Sequence, residues 1–145
     1  NYENNMKEIY RTKDNKEFET EQEAIYHEKS LEKETSVNTT QMMIFDLVKR
    51  GSFNGFDGEH TVKYLIKNKD KWEGVMPEIR DYALRDISDD CFHMDTLLVK
   101  CKDEETAKSF LILLNKNCSP DEIDVEEDRH DYNNKPKRII RMWWD

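Results

Sequence analysis

Apolar residues are scarce in this chain. They make up 36% of its 145 residues, against roughly 45–50% in an ordinary globular domain. No stretch approaches the ~18 consecutive apolar residues of a membrane span, and the N-terminus has no apolar signal-type run. The expectation is a protein with no membrane partner and a cytoplasmic location. Cysteine is also sparse. Cys91, Cys101 and Cys118 are odd in number and irregular in spacing, which argues for reduced thiols rather than a secreted disulfide framework. The paired C-x2–4-C or H-x3–5-H spacings of a structural zinc site are missing, so no metal and no cofactor is expected. With only four glycines there is no phosphate-binding loop, no dinucleotide fingerprint and no nucleophile elbow. The expectation is a protein that is not an enzyme.

Positive charge is short as well. The 23 basic residues face 32 acidic ones, a formal charge of −9. A field of that sign repels nucleic-acid phosphates and anionic membranes, so direct nucleic-acid binding is excluded in favour of partners with a basic surface. What the chain does have is aromatics: three Trp, six Phe and six Tyr. These bury enough area to sustain one thin core in a highly charged chain.

The pattern predicts an α+β fold of one domain spanning 1–145. An N-terminal β-hairpin over 7–20 turns at Lys13-Asp14-Asn15-Lys16, between Ile9-Tyr10 and Phe18. Thr20 and Glu23 have capping-box spacing for a helix carrying Ala24, Ile25 and Leu31 to about Glu34. This 1–35 hairpin–helix precedes a polar joint at 36–39 and a main body over 40–145. A central helical segment follows. Thr40 to Arg50 places Met43, Ile44, Leu47 and Val48 on one stripe, ended by Gly51. Ser52 to Gly58 reads as a loop, and Glu59 to Lys71 as a helix closed by Trp72. Pro77 suits the first turn of a third helix bearing Ile79, Tyr82, Ala83 and Ile87. The C-terminal part is a β-α-β-β unit with antiparallel strands. Its strand Thr96–Cys101 leads to a helix capped by Asp103, with Ala107, Phe110, Leu111 and Leu114 inward. A strand around Ile123 and Val125 and a last strand over 138–144 complete it.

The segment Asp121 to Asp131 is the most unusual. Asp121, Glu122, Asp124, Glu126, Glu127, Asp128 and Asp131 crowd it with acid, against a single Arg129. On a strand, residues two apart share a face at about 6.6–6.8 Å. Asp124, Glu126 and Asp128 would then line the solvent side while Ile123 and Val125 face the core. Such a row resembles the phosphates of a nucleic-acid strand and suits a groove of Lys and Arg. It equally suits an edge strand guarded against aggregation. The basic run Lys135-Pro136-Lys137-Arg138, with Arg141, is expected to pair across to it. Trp144 shares a face with Ile140 and Met142, hence core. Trp143 shares one with Ile139 and Arg141, either as a surface anchor for a partner or packed beneath the N-terminal helix. His60, Glu59 and Cys91 are the residues on which a metal-dependent enzyme would have to rest.

The string Phe18-Glu19-Thr20-Glu21-Gln22-Glu23-Ala24, placed after a short hairpin, resembles a module of small phage and mobile-element proteins of low-GC Gram-positive bacteria. The Asn- and Lys-rich composition is similar. The resemblance implies an accessory protein of the kind that inhibits host defence, such as anti-CRISPR or DNA-mimicking anti-restriction proteins. The expected function is therefore a non-enzymatic acidic inhibitor of a basic nucleic-acid-binding protein, such as a host defence nuclease. An immunity protein or antitoxin that neutralises a basic nuclease toxin is the alternative.

Overall fold

The computed structural model describes residues 8–145, so Lys7, at the expected start of the hairpin, lies outside the described residues. The chain is α+β and divides into two compact units, Asn1–Ser36 and Val37–Asp145.

In the first unit β1 (Tyr10–Arg11) pairs antiparallel with β2 (Glu17–Phe18), Tyr10 facing Phe18. The Thr12 N–H donates to the Lys16 carbonyl at 3.0 Å, and Asn15 takes the left-handed φ of 69° that such a turn requires. Helix α1 (Glu21–Ser36) starts where its cap predicts, Glu23 N–H donating to Thr20 Oγ1 at 3.2 Å. His27 on α1 reaches back to the turn, its Nε2 2.8 Å from Asp14 Oδ2. Hydrogen bonds from Thr12 and then His27 hold the Asp14 carboxyl down at about 2. Two expectations are met only in part here. Ile25 is exposed while Ala24 is buried, and α1 runs on through Ser36 where a linker was expected. Only 37 and 38 separate α1 from the next helix, and Val37 is buried rather than a solvated joint.

The second unit is built on a four-stranded antiparallel sheet in the order β5-β6-β8-β7. Its strands are β5 (Gly74–Pro77), β6 (Thr96–Lys100), β7 (Glu122–Glu127) and β8 (Lys137–Trp143). Between β6 and β7 lies α5 (Glu104–Cys118), whose start is set by Asp103 accepting from Thr106 N–H at 2.8 Å. The expected β-α-β-β unit is thus present, with α5 ending at Cys118 rather than near Asn115. Ala107, Phe110 and Leu114 of α5 pack on Leu97, Val99, Ile140, Met142 and Trp144, all almost fully buried.

The central segment holds α2 (Thr39–Arg50), a two-strand ribbon of β3 (Ser52–Phe53) with β4 (Phe56–Asp57), α3 (Gly58–Lys67) and a short α4 (Tyr82–Ile87). Helix α3 stops at Lys67, and a separate 3-10 turn at Lys69–Lys71 leads to Trp72. The buried Trp72 donates its indole N–H to the Leu65 carbonyl at 2.7 Å. Pro77 does not open a helix. It ends β5, an edge strand, where a residue without an N–H costs no inner ladder bond.

Helix α2 is also turned from the expected stripe. Met43 is 69% exposed, and the buried positions are Gln41, Phe45 and Val48. The physical reason is the edge of β5. The Gln41 amide donates from Nε2 to the Val75 carbonyl and accepts at Oε1 from the Val75 N–H, each at 2.8 Å. Gln41 thereby acts as one residue of a neighbouring strand and satisfies both outward backbone groups of Val75. Gln41→Ala strands that buried pair, and we expect it to lower unfolding free energy by about 1–3 kcal/mol in denaturant titrations.

Candidate functional site

The acidic strand β7 lies at the edge of the sheet and, among the described residues, pairs only with β8. The register sets Glu122 opposite Trp143, Asp124 opposite Arg141 and Glu126 opposite Ile139. Along β7 burial alternates: Glu122, Asp124 and Glu126 are exposed, and Ile123 and Val125 are half-buried against the core. The three carboxylates therefore share the sheet face opposite α5, with half-buried Ile139, Arg141 and Trp143 of β8 and Leu98 of β6.

The phase of the ladder follows from one bond. Cys101 N–H donates to the Arg138 carbonyl at 2.9 Å, continuing the β6–β8 register. Arg138, Ile140 and Met142 hence turn their backbone groups towards β6, and Ile139, Arg141 and Trp143 turn theirs towards β7. On β7 the bonded residues are Glu122, Asp124 and Glu126. The N–H and C=O of Ile123 and Val125 point away from the sheet.

Asp128 breaks the expected row. It was expected at the solvent with Asp124 and Glu126, and it is 5% exposed. A register shift between Glu126 and Glu127 sets Glu127 opposite Lys137 and takes Arg138 out of step. Beyond this irregularity the carboxylate is covered by Arg138 and by the chain at His130. Asp128 Oδ2 accepts from Arg138 Nε at 2.8 Å and lies 2.7 Å from Arg138 Nη2. Its Oδ1 accepts from His130 N–H at 3.1 Å, and Lys100 Nζ stands 4.0 Å away. Burial by itself pushes this carboxyl up. The guanidinium, the His130 N–H and the nearby ammonium outweigh it and hold the pKa below the ordinary range.

The remaining acids divide by role. Asp121 accepts from Asp145 N–H at 2.8 Å and donates its own N–H to the Trp143 carbonyl. Asp131 receives Asn133 N–H and sits 3.8 Å from Arg138, so it shapes the β7–β8 connection. Glu127 is exposed at the strand's end. Arg141 reaches Glu126 at 4.0 Å and Glu78 at 3.7 Å, cross-strand pairing of the kind the basic run suggested. Sequence reasoning missed Glu78, Lys100 and Leu98, because only the sheet order puts β6 and the residue after β5 beside this face.

The residues weighed for metal chemistry do not converge. Asp57 caps α3 by accepting from His60 N–H at 3.1 Å, and the His60 ring lies 2.7 Å from the Asn117 carbonyl. Cys91 sits on an exposed loop, whereas Cys101 and Cys118 are buried with their thiols pushed up to about 11 by desolvation. Among the described residues no group of three His, Cys, Asp or Glu side chains is arranged to hold a metal ion. No helix of the described residues is long and apolar enough to cross a membrane. Comparisons with protein-family models, curated proteins and solved structures return no match to this chain.

The split between one buried and three exposed acids has a direct consequence. Asp128→Asn lowers the melting temperature at neutral pH, while Asp124→Asn changes stability by less than about 0.5 kcal/mol. The Asp128 pKa is depressed in the fold. Its contribution is therefore complete above the ordinary carboxylate pKa and is lost as pH falls through the folded value. Melts of both variants from pH 7 down to acid check this, the gap between Asp128→Asn and the parent closing only at the acid end.

Proposed function

We propose that the protein is a non-enzymatic binding protein whose acidic sheet face engages the basic surface of a nucleic-acid-handling protein. The observation that carries this reading is the exposed row Glu122, Asp124 and Glu126, beside half-buried Trp143 on one face of an edge strand. Carboxylates at alternate strand positions stand about 6.6–6.8 Å apart, a repeat suited to a groove of Lys and Arg that normally tracks phosphates. Trp next to Arg supplies the flat, weakly hydrated anchor that protein interfaces favour. The net charge of −9 adds long-range attraction to such a partner. The N-terminal resemblance suggests the setting, an inhibitor of host defence carried by a phage or mobile element. Asp128 adds no exposed charge to this face, since Arg138 neutralises it and it is buried.

The test is affinity capture from a bacterial lysate with tagged protein and with a Glu122→Lys, Asp124→Lys, Glu126→Lys triple variant. The expected result is a basic nucleic-acid-binding enzyme held at low salt, displaced by competing DNA or by high salt, and not held by the triple variant. Equal capture by the parent and a folded triple variant removes the acidic face from the account.

A further inference from the structure

The two edges of the sheet are finished differently. At β5 the outward N–H and C=O of Val75 are both taken by the Gln41 amide. At β7 the ladder phase turns the N–H and C=O of Ile123 and Val125 outward, and no strand of the described residues pairs there. The side chains beside this bare backbone sort by face. Glu122, Asp124 and Glu126 are exposed on one side, and Ile123 and Val125 are half-buried on the side that carries α5.

From this arrangement we infer that β7 accepts an extended segment of the partner as a fifth strand, one that alternates basic and apolar residues. The inference rests on the acidic-face reading above and adds to it the mode of recognition. Backbone pairing with Ile123 and Val125 supplies affinity without regard to sequence, and the side chains at alternate positions supply selection. Lysines or arginines two apart lie against the carboxylate row. The residues between them fall on the other face and cover Ile123 and Val125, which the core leaves half-exposed. β7 is six residues long, enough for three such cations. A second copy of this chain fits poorly, because pairing β7 with β7 brings two rows of carboxylates together. A helix fits poorly too, since its backbone groups are already satisfied within it.

A synthetic probe tests this on the full chain. It is a capped heptapeptide alternating lysine and valine, compared with the same peptide N-methylated at its valines. With the added strand antiparallel to β7, as its other neighbour β8 is, methylation keeps every charge but removes the N–H groups that would face Ile123 and Val125. Titration followed by amide hydrogen exchange gives the readout. The expected result is that the unmethylated peptide slows exchange at Ile123 and Val125 by at least about tenfold. Exchange at Asp124 and Glu126, already bonded to β8, stays as it was. The methylated peptide binds at least about tenfold more weakly. Equal binding of the two peptides with no added protection overturns strand addition. If the charge-reversed triple variant then binds neither, the acidic-face reading survives that failure. If the triple binds both as well as the parent does, the two readings fail together. Absence of binding by either peptide to the parent protein also overturns the inference.

Discussion

The alternation along β8 is the constraint on which the larger unit depends. β8 lies between β6 and β7, so both its edges are used and its two faces must serve different purposes. Ile140, Met142 and Trp144 are fully buried, while Ile139, Arg141 and Trp143 occupy the opposite face. A slip of one residue would send Arg141 and Trp143 into the core. Trp144 makes such a slip costly in a second way, because its indole N–H donates to the Cys118 carbonyl at 3.1 Å. That bond satisfies a helix-end carbonyl and fixes the end of α5 against the end of the strand. From there the linkage continues into α3. The Asn117 carbonyl meets His60, and the Asn117 amide donates to the Tyr64 hydroxyl at 3.1 Å.

Polar backbone at the sheet edges and at the helix ends must be satisfied or defended. The chain uses three devices. Gln41 closes the β5 edge with a side-chain amide. Trp72 and Trp144 each bring a donor to a carbonyl of a helix, Leu65 and Cys118 respectively. At the end of β7 the buried carboxylate of Asp128 gathers Arg138, the His130 N–H and Lys100 around it. A buried ion pair of this kind adds little net stability against a well-packed apolar pair, yet losing one partner leaves an uncompensated charge. Its role here is geometric. It holds the β7–β8 connection so that Glu127 lies opposite Lys137 and the upstream register is kept.

The parts of this fold legible in the sequence are those fixed by local chemistry. Asp103 and Thr20 announce their helices because a side-chain oxygen three residues ahead of a backbone N–H is a local arrangement. The alternation of Ile140, Met142 and Trp144 likewise needs no knowledge of the partner strand. What escaped was set from a distance. Gly74-Val75-Met76-Pro77 has the glycine and proline of a break, and it is a strand because β6 and Gln41 flank it. Met43 was expected in the core and is exposed, since hydrophobic periodicity does not register a glutamine, Gln41, buried for its two hydrogen bonds. At the site, the acidic row was legible as a strand pattern through Glu126. Asp128 was misplaced because its burial comes from its ion pair with Arg138, ten residues further on.

An exposed sheet edge is a hazard, and the way each edge is finished bears on what it is for. An edge that must only be silenced can be closed once, as Gln41 closes β5, with no charge spent. Among the described residues no strand pairs with the outer edge of β7, which carries its protection as a row of like charges. Such a row does not repel every strand equally. At physiological ionic strength the screening length is about 8 Å, close to the roughly 6.7 Å between alternate residues of a strand. Adjacent carboxylates therefore lie within one screening length of each other, and the row acts on a visiting strand as a unit. An acidic segment meets a penalty at each position and a neutral one buries carboxylates without compensation. A segment with cations at the same period pays neither cost. The charges that oppose pairing of β7 with a second β7 are thus the same ones that, on the proposed reading, favour a basic segment at this edge.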